Sequence, residues 1–62
     1  MIHDANLHAR RAAALQTHTE AFSRASLAQA RAHEARTPAA WRAYRARMQE
    51  LERALAALQA LQ

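Results

Sequence analysis

Helix breakers are almost absent from this chain of 62 residues, and their placement constrains the fold more than any other feature. The sequence has no glycine and one proline, Pro38. Proline suits the first position of a helix and disfavours helical backbone in the residue before it. That residue is Thr37, whose hydroxyl can cap a helix by accepting a hydrogen bond from an orphan amide. Thr37-Pro38 therefore predicts that one helix ends near residue 35 and that another begins at Pro38.

The composition favours helices and excludes other fold classes. Hydrophobic residues are 52% of the chain, but 19 of the residues are alanine, and valine and cysteine are absent. Strands prefer β-branched and aromatic residues, and a disulfide scaffold needs cysteine. We predict a single all-α domain over residues 1–62. It is a two-helix antiparallel hairpin with helices over about 4–35 and about 38–59, and Asp4 is the expected N-cap of the first.

One signal inside the first helix leaves an alternative open. Thr17 and Glu20 have the spacing of a capping box, which would start a new helix at this point. No glycine or proline lies nearby, and this favours one continuous helix.

The second helix carries a heptad pattern of large apolar residues. Spacings of three and four residues alternate, as at the a and d positions of a coiled coil. The pattern predicts a seam that packs against another helix, within the chain or on a partner. Its members are Trp41, Tyr44, Met48, Leu51, Leu55 and Leu58.

The first helix carries a stripe of small residues flanked by two large ones. Small side chains let two helices approach closely, so the large residues of the second helix are expected to fill the groove along the alanines. The predicted packing face consists of Leu7, Ala14, Leu15, Ala21, Phe22, Ala25, Ala28 and Ala32.

Stability then points to a second chain. Ordering costs roughly 1.5 kcal/mol per residue and apolar burial returns about 25 cal/mol per Å², so an alanine-lined hairpin gains little net stability. We expect the other half of the core to come from a copy of this chain, which would give a four-helix bundle, or from a different protein.

Catalysis, cofactors and membrane insertion are not indicated. The chain has no cysteine nucleophile and no glycine-rich phosphate loop, and its four histidines lack zinc-site spacing. No segment reaches the roughly 18–20 apolar residues of a membrane span, and the N-terminus does not have the pattern of a signal peptide. We predict a non-enzymatic cytoplasmic protein that binds no metal.

The arginines support an alternative function. The net charge is +4, the sequence pI is about 11.5, and all nine basic residues are arginine. Basic residues beside aromatic ones can bind nucleic acid through phosphates and stacking. A homodimeric RNA-binding bundle would use Arg36, Arg42, Arg45 and Arg47. However, Arg45 and Arg47 fall on opposite flanks of the seam, which favours arginine stems that cover the edges of an apolar interface.

The second helix also carries a family resemblance. Pro38 opens it, Trp41 follows three residues later, and Met48, Leu51 and Leu55 continue the series. Over residues 37–61 this pattern resembles the small E-type needle chaperones of bacterial type III secretion systems. The resemblance implies a helical hairpin that binds a tetratricopeptide-like partner chaperone, and the two together keep the needle subunit unpolymerised in the cytoplasm. It implies that the seam is both internal and partner-facing. An adaptor or inhibitor from a mobile element is a further alternative.

Overall fold

The chain folds as an antiparallel pair of long helices. A computed structural model describes the backbone of residues 2–62 and the side chains of residues 5–62. Helix α1 spans Ile2–Ala35 and helix α2 spans Pro38–Ala60. The Cα trace of the hairpin is 52 Å long and 14 Å by 12 Å across. The predicted all-α helical hairpin is confirmed.

Helix α1 starts earlier than predicted, and it is continuous, as the absence of glycine and proline near Thr17 favoured. It begins at Ile2, two residues before the expected cap at Asp4, whose side chain lies outside the described residues. It also continues through the capping-box signal. The Thr17 hydroxyl donates to the carbonyl of Ala13 at 3.0 Å, one turn back, and does not cap a new helix. The helix therefore does not break at Thr17, because the hydroxyl forms its hydrogen bond within one continuous helix.

Helix α2 begins where Thr37-Pro38 predicts. Thr37 has an extended backbone, with φ −114° and ψ 151°, and its side-chain oxygen accepts a hydrogen bond from the Ala40 amide at 3.1 Å. Pro38 occupies the first helical turn, where its missing N–H has no intrahelical role. The predicted cap is confirmed, and it fixes where the second helix starts.

The reversal between the helices depends on a left-handed arginine. Arg36 has φ +55°, and its amide donates to the carbonyl of Ala32 at 2.9 Å. This hydrogen bond and the positive φ form the αL motif that commonly ends helices, usually with glycine at this position. The side chain of Arg36 therefore imposes steric strain that glycine would not.

Replacing Arg36 by glycine is expected to stabilise the hairpin by about 0.5–1 kcal/mol. Relief of the left-handed strain exceeds the extra chain entropy that glycine adds to the unfolded state. A thermal melt followed by circular dichroism measures the change. Arg42→Gly, in the interior of α2, is the control and should cost about 1 kcal/mol. If both variants lose stability, Arg36 is not strained.

The centre of the interface between the helices is made of alanine. Ala21, Ala25 and Ala32 of α1 and Ala54 of α2 are buried. Larger side chains of α2, notably Tyr44, Leu51 and Leu58, are half-buried around them. Methyl groups let the helices approach closely but remove little apolar surface from water. The fold is consequently held by a narrow contact.

A hydrogen bond from an arginine joins the two helices at the open end of the hairpin, the end opposite the turn. The Nε of Arg11 in α1 donates to the carbonyl of Leu61 at 2.7 Å, just beyond the end of α2. The last carbonyls of a helix have no intrahelical donor, and the positive charge also suits the negative end of the helix dipole. This contact joins residues 50 positions apart in the sequence.

Loss of this contact is expected to loosen the open end. Arg11→Ala should destabilise the hairpin by about 1 kcal/mol, which is typical of a hydrogen bond from a charged donor at a partly exposed site. The neighbouring Arg10 is exposed, and Arg10→Ala is the matched control, expected to change stability by less than about 0.3 kcal/mol. Equal effects on the melting curve would show that the Arg11 contact contributes nothing.

Candidate protein interface

Most of the large apolar side chains that the hairpin leaves exposed lie along one of its two sides, and Leu27 lies on the other. Leu15 and Phe22 of α1 are 55% and 57% exposed. Trp41 and Leu55 of α2 are also exposed, and Met48, on the same heptad column of α2, is half-buried. We name these five residues the apolar edge. Single exposed hydrophobic residues are ordinary, but a row of them along one side marks an interaction surface.

Two shallow grooves show that the apolar edge is formed jointly by both helices. One, of about 220 Å³, is lined by Phe22 of α1 and by Tyr44, Met48 and Leu51 of α2, and Ser26 and Gln29 form its polar part. The other, of about 370 Å³, lies nearer the open end between Leu15 and Leu58. An incoming side chain would thus contact both helices at once.

An aromatic cluster closes the turn end of the edge. The ring of Trp41 meets His33 of α1 edge-on, with centroids 5.1 Å apart, and meets Tyr44 edge-on at 5.9 Å. Edge-to-face pairs of this kind are favourable by about 0.5–1.5 kcal/mol beyond area burial. They hold the Trp41 ring in one orientation while part of it stays exposed.

The residues of the predicted seam on α2 divide into two groups. Tyr44, Met48, Leu51 and Leu58 are half-buried beside α1, whereas Trp41 and Leu55 are exposed. The predicted packing face of α1 divides likewise. Its exposed members are Leu15 and Phe22; the others are buried or half-buried: Leu7, Ala14, Ala21, Ala25, Ala28 and Ala32.

The division has a geometric cause. Helix α2 packs on α1 through a second heptad series that includes Ala40, Ala54 and Leu61, all buried or half-buried. Each member of this series comes one residue before Trp41, Leu55 or Gln62, and successive residues of a helix are about 100° apart around its axis. The face of α2 that meets α1 is therefore turned away from the large residues and toward the alanines. The larger neighbours are left on the outside. Sequence reasoning missed Ala40 and Ala54 because it followed the large residues.

The four arginines proposed for nucleic-acid binding do not form one surface. Arg47 lies in a groove with Arg24 and Arg31 of α1, on the side of the hairpin opposite the apolar edge. Arg36 is in the turn, and Arg42 and Arg45 are exposed elsewhere on α2. These arginines are close together in the sequence, but residues of one helical segment project in different directions around the helix axis.

The exposed surface of the chain is larger than its mass predicts. The accessible surface is 4973 Å², for a mass of 6.9 kDa. A compact monomer of this mass has about 4000 Å². The difference, about 1000 Å², is similar to the roughly 800 Å² that each partner buries in a standard protein interface.

Comparison with protein-family models, with curated proteins and with solved structures gave no match to this chain. Within residues 2–62, neither helix has a stretch that is both long and apolar enough to cross a bilayer. The case for a function therefore depends on the geometry of the chain itself.

Proposed function

We propose that this protein is a non-catalytic helical-hairpin adaptor that binds a larger helical protein through its apolar edge. The proposed class is that of the needle co-chaperones of bacterial type III secretion. In that role the chain would bind a tetratricopeptide-like chaperone in the cytoplasm and help to keep the needle subunit unpolymerised. Recognition would be of the helix-in-groove kind, with aromatic and leucine anchors removed from water.

The observation that carries the proposal is the apolar edge beside an alanine core. Phe22 and Leu15 are more than half exposed, whereas the fully buried positions of the described side chains are all alanines. Among the described side chains, no large apolar one is fully buried, so each keeps some apolar surface that a partner could cover. Burial of a large side chain such as Phe22 contributes about 1.5–3 kcal/mol, more than an alanine core position can.

Shape and charge favour a different protein over a second copy. The hairpin is elongated, with a Cα trace 52 Å long and 14 Å by 12 Å across, and stacked helical repeats form extended concave surfaces that can hold such a shape. A symmetric dimer would bring together two chains of net charge +4. It would also cover Ser26 and Gln29, which lie in the groove beside Phe22 and Met48, on both copies, because a two-fold interface uses the same patch on each chain.

The test is purification of the tagged chain from its host, with the bound chains identified by mass spectrometry. The proposal expects a helical-repeat protein and a needle-type subunit that polymerises when freed of the complex. Co-purification of nucleic acid with a dimer of this chain, or of no chain at all, would contradict it.

A further inference from the structure

A second groove lies on the side of the hairpin opposite the apolar edge, and it combines arginines with exposed apolar surface. It has a volume of about 250 Å³, and Arg24 and Arg31 of α1 and Arg47 of α2 line it. Leu27, 53% exposed, and three alanines form its apolar part. We name this site the arginine groove. It lies outside the surface used in the proposed function.

We infer that the arginine groove binds an acidic amphipathic helix of another protein. Arg24, Leu27 and Arg31 are spaced three and four residues apart and so follow one stripe along α1. The two arginines are seven residues apart, which is about 10.5 Å along a helix. A partner helix with two glutamates seven residues apart and a leucine between them has matching spacing.

The charges of the groove are arranged to accept carboxylates. Nη1 of Arg47 donates to the two carboxylate oxygens of Glu50 at 3.0 Å and 3.1 Å. One of these oxygens also lies 3.7 Å from the Nε of Arg24. Among the side chains described, none provides Arg31 with a carboxylate within 4.0 Å. Glu50 thus orients the guanidinium group of Arg47 and lies near that of Arg24, while the charge of Arg31 stays available to a partner carboxylate.

The apolar part of the groove favours a peptide over a nucleic-acid backbone. Phosphate contacts need basic groups and gain nothing from Leu27, which here lies between Arg24 and Arg31 with more than half of its surface exposed. Stacking on bases would need an aromatic ring, and the residues that line this groove include none. An acidic helix with one leucine satisfies both parts of the site.

The experiment uses a fluorescein-labelled synthetic peptide of about five helical turns, roughly 18 residues, that repeats Glu-x-x-Leu-x-x-x-Glu. A peptide with lysine in place of glutamate is the control ligand. Fluorescence anisotropy with the intact chain should show binding of the acidic peptide only, weakened by salt as expected for exposed charges. Arg31→Glu should raise the Kd at least about tenfold.

Arg42→Glu is the matched control variant, because it changes the net charge equally but lies outside the groove. It should change the Kd less than about twofold if binding is local. Leu27→Ser should also weaken binding, while Leu55→Asp, on the apolar edge, should not. The last variant separates this site from the proposed function.

Three results would overturn the inference. They are no binding of the acidic peptide, equal losses from Arg31→Glu and Arg42→Glu, and binding of a labelled oligouridylate that depends on Arg31 and competes with the peptide. The last would make the groove a nucleic-acid site.

Discussion

Phe22→Asp is expected to leave the hairpin folded and to weaken binding of its protein partner at least about 100-fold. Phe22 is 57% exposed and lines the groove beside Met48 and Leu51. The substitution removes an aromatic anchor from the centre of an apolar interface and places a carboxylate there without water. Together these two effects should reduce the binding free energy by about 3–4 kcal/mol or more. A factor of 100 corresponds to about 2.7 kcal/mol.

The matched control for this variant is Ser23→Asp. Ser23 is the next residue, and it is exposed on the outer face of α1. Both substitutions introduce one negative charge at neighbouring helix positions, so their effects on helix stability should be similar, within about 0.5 kcal/mol. Titration calorimetry with the purified partner measures binding, and circular dichroism checks the fold. Equal affinities for the two variants would show that the apolar edge is not the interface.

Ala25→Leu is expected to have the largest effect on the fold itself. Ala25 is buried at the middle of the hairpin, in contact with the groove that Tyr44, Met48 and Leu51 line. Three more carbon atoms at this position would force the helices apart, and such overpacking costs about 1–3 kcal/mol. A domain of this size rarely has more than about 3–5 kcal/mol of stability. The variant should therefore be mostly unfolded, with most of the helical circular-dichroism signal already lost before heating.

Ala30→Leu is the control for the overpacking variant. Ala30 is on the same helix but exposed, and alanine and leucine have similar helix propensities. Its melting curve should match that of the unchanged chain, apart from a shift of a few degrees. A melting curve of Ala25→Leu that is unshifted from that of the unchanged chain would mean that the helices are not closely packed on alanine.

The end of α1 and the start of α2 could be predicted because they depend on local chemistry. Thr37 and Pro38 act through the backbone of their own turn, so the start of α2 follows from two residues. The start of α1 carries no such signal, and the expected cap at Asp4 lies inside the helix. Thr17 shows why a motif alone is insufficient, since its hydroxyl has a competing acceptor one turn back.

The faces of the helices could be predicted only in part. Heptad spacing identifies Tyr44, Leu51 and Leu58. These residues border the contact whichever of the two neighbouring columns of α2 packs on α1. The spacing does not decide whether α1 packs on the column of Ala40 and Ala54 or on the column one residue later. Close approach of two helices favours the smaller side chains, and this is a property of the pair of helices, not of either sequence segment.

The arginine groove could not be predicted from one segment at all. It joins Arg24 of α1 to Arg47 of α2 through Glu50, and the pairing of these positions depends on where the chain reverses. The left-handed Arg36 and the cap at Thr37 set that reversal. Arginines that are close in sequence, such as Arg45 and Arg47 two residues apart, point to opposite sides of the helix, because successive residues are about 100° apart around its axis.

Sedimentation equilibrium of the isolated chain distinguishes completion of the hairpin by a different protein from completion by a second copy. A homodimer that buried the apolar edge would remain associated at micromolar concentrations and would melt cooperatively. We predict instead a mass near 6.9 kDa across the concentration range, with a broad thermal transition of low stability on the same sample. A concentration-independent mass of twice that value, with a sharp transition, would contradict the account and would favour a self-completed four-helix bundle.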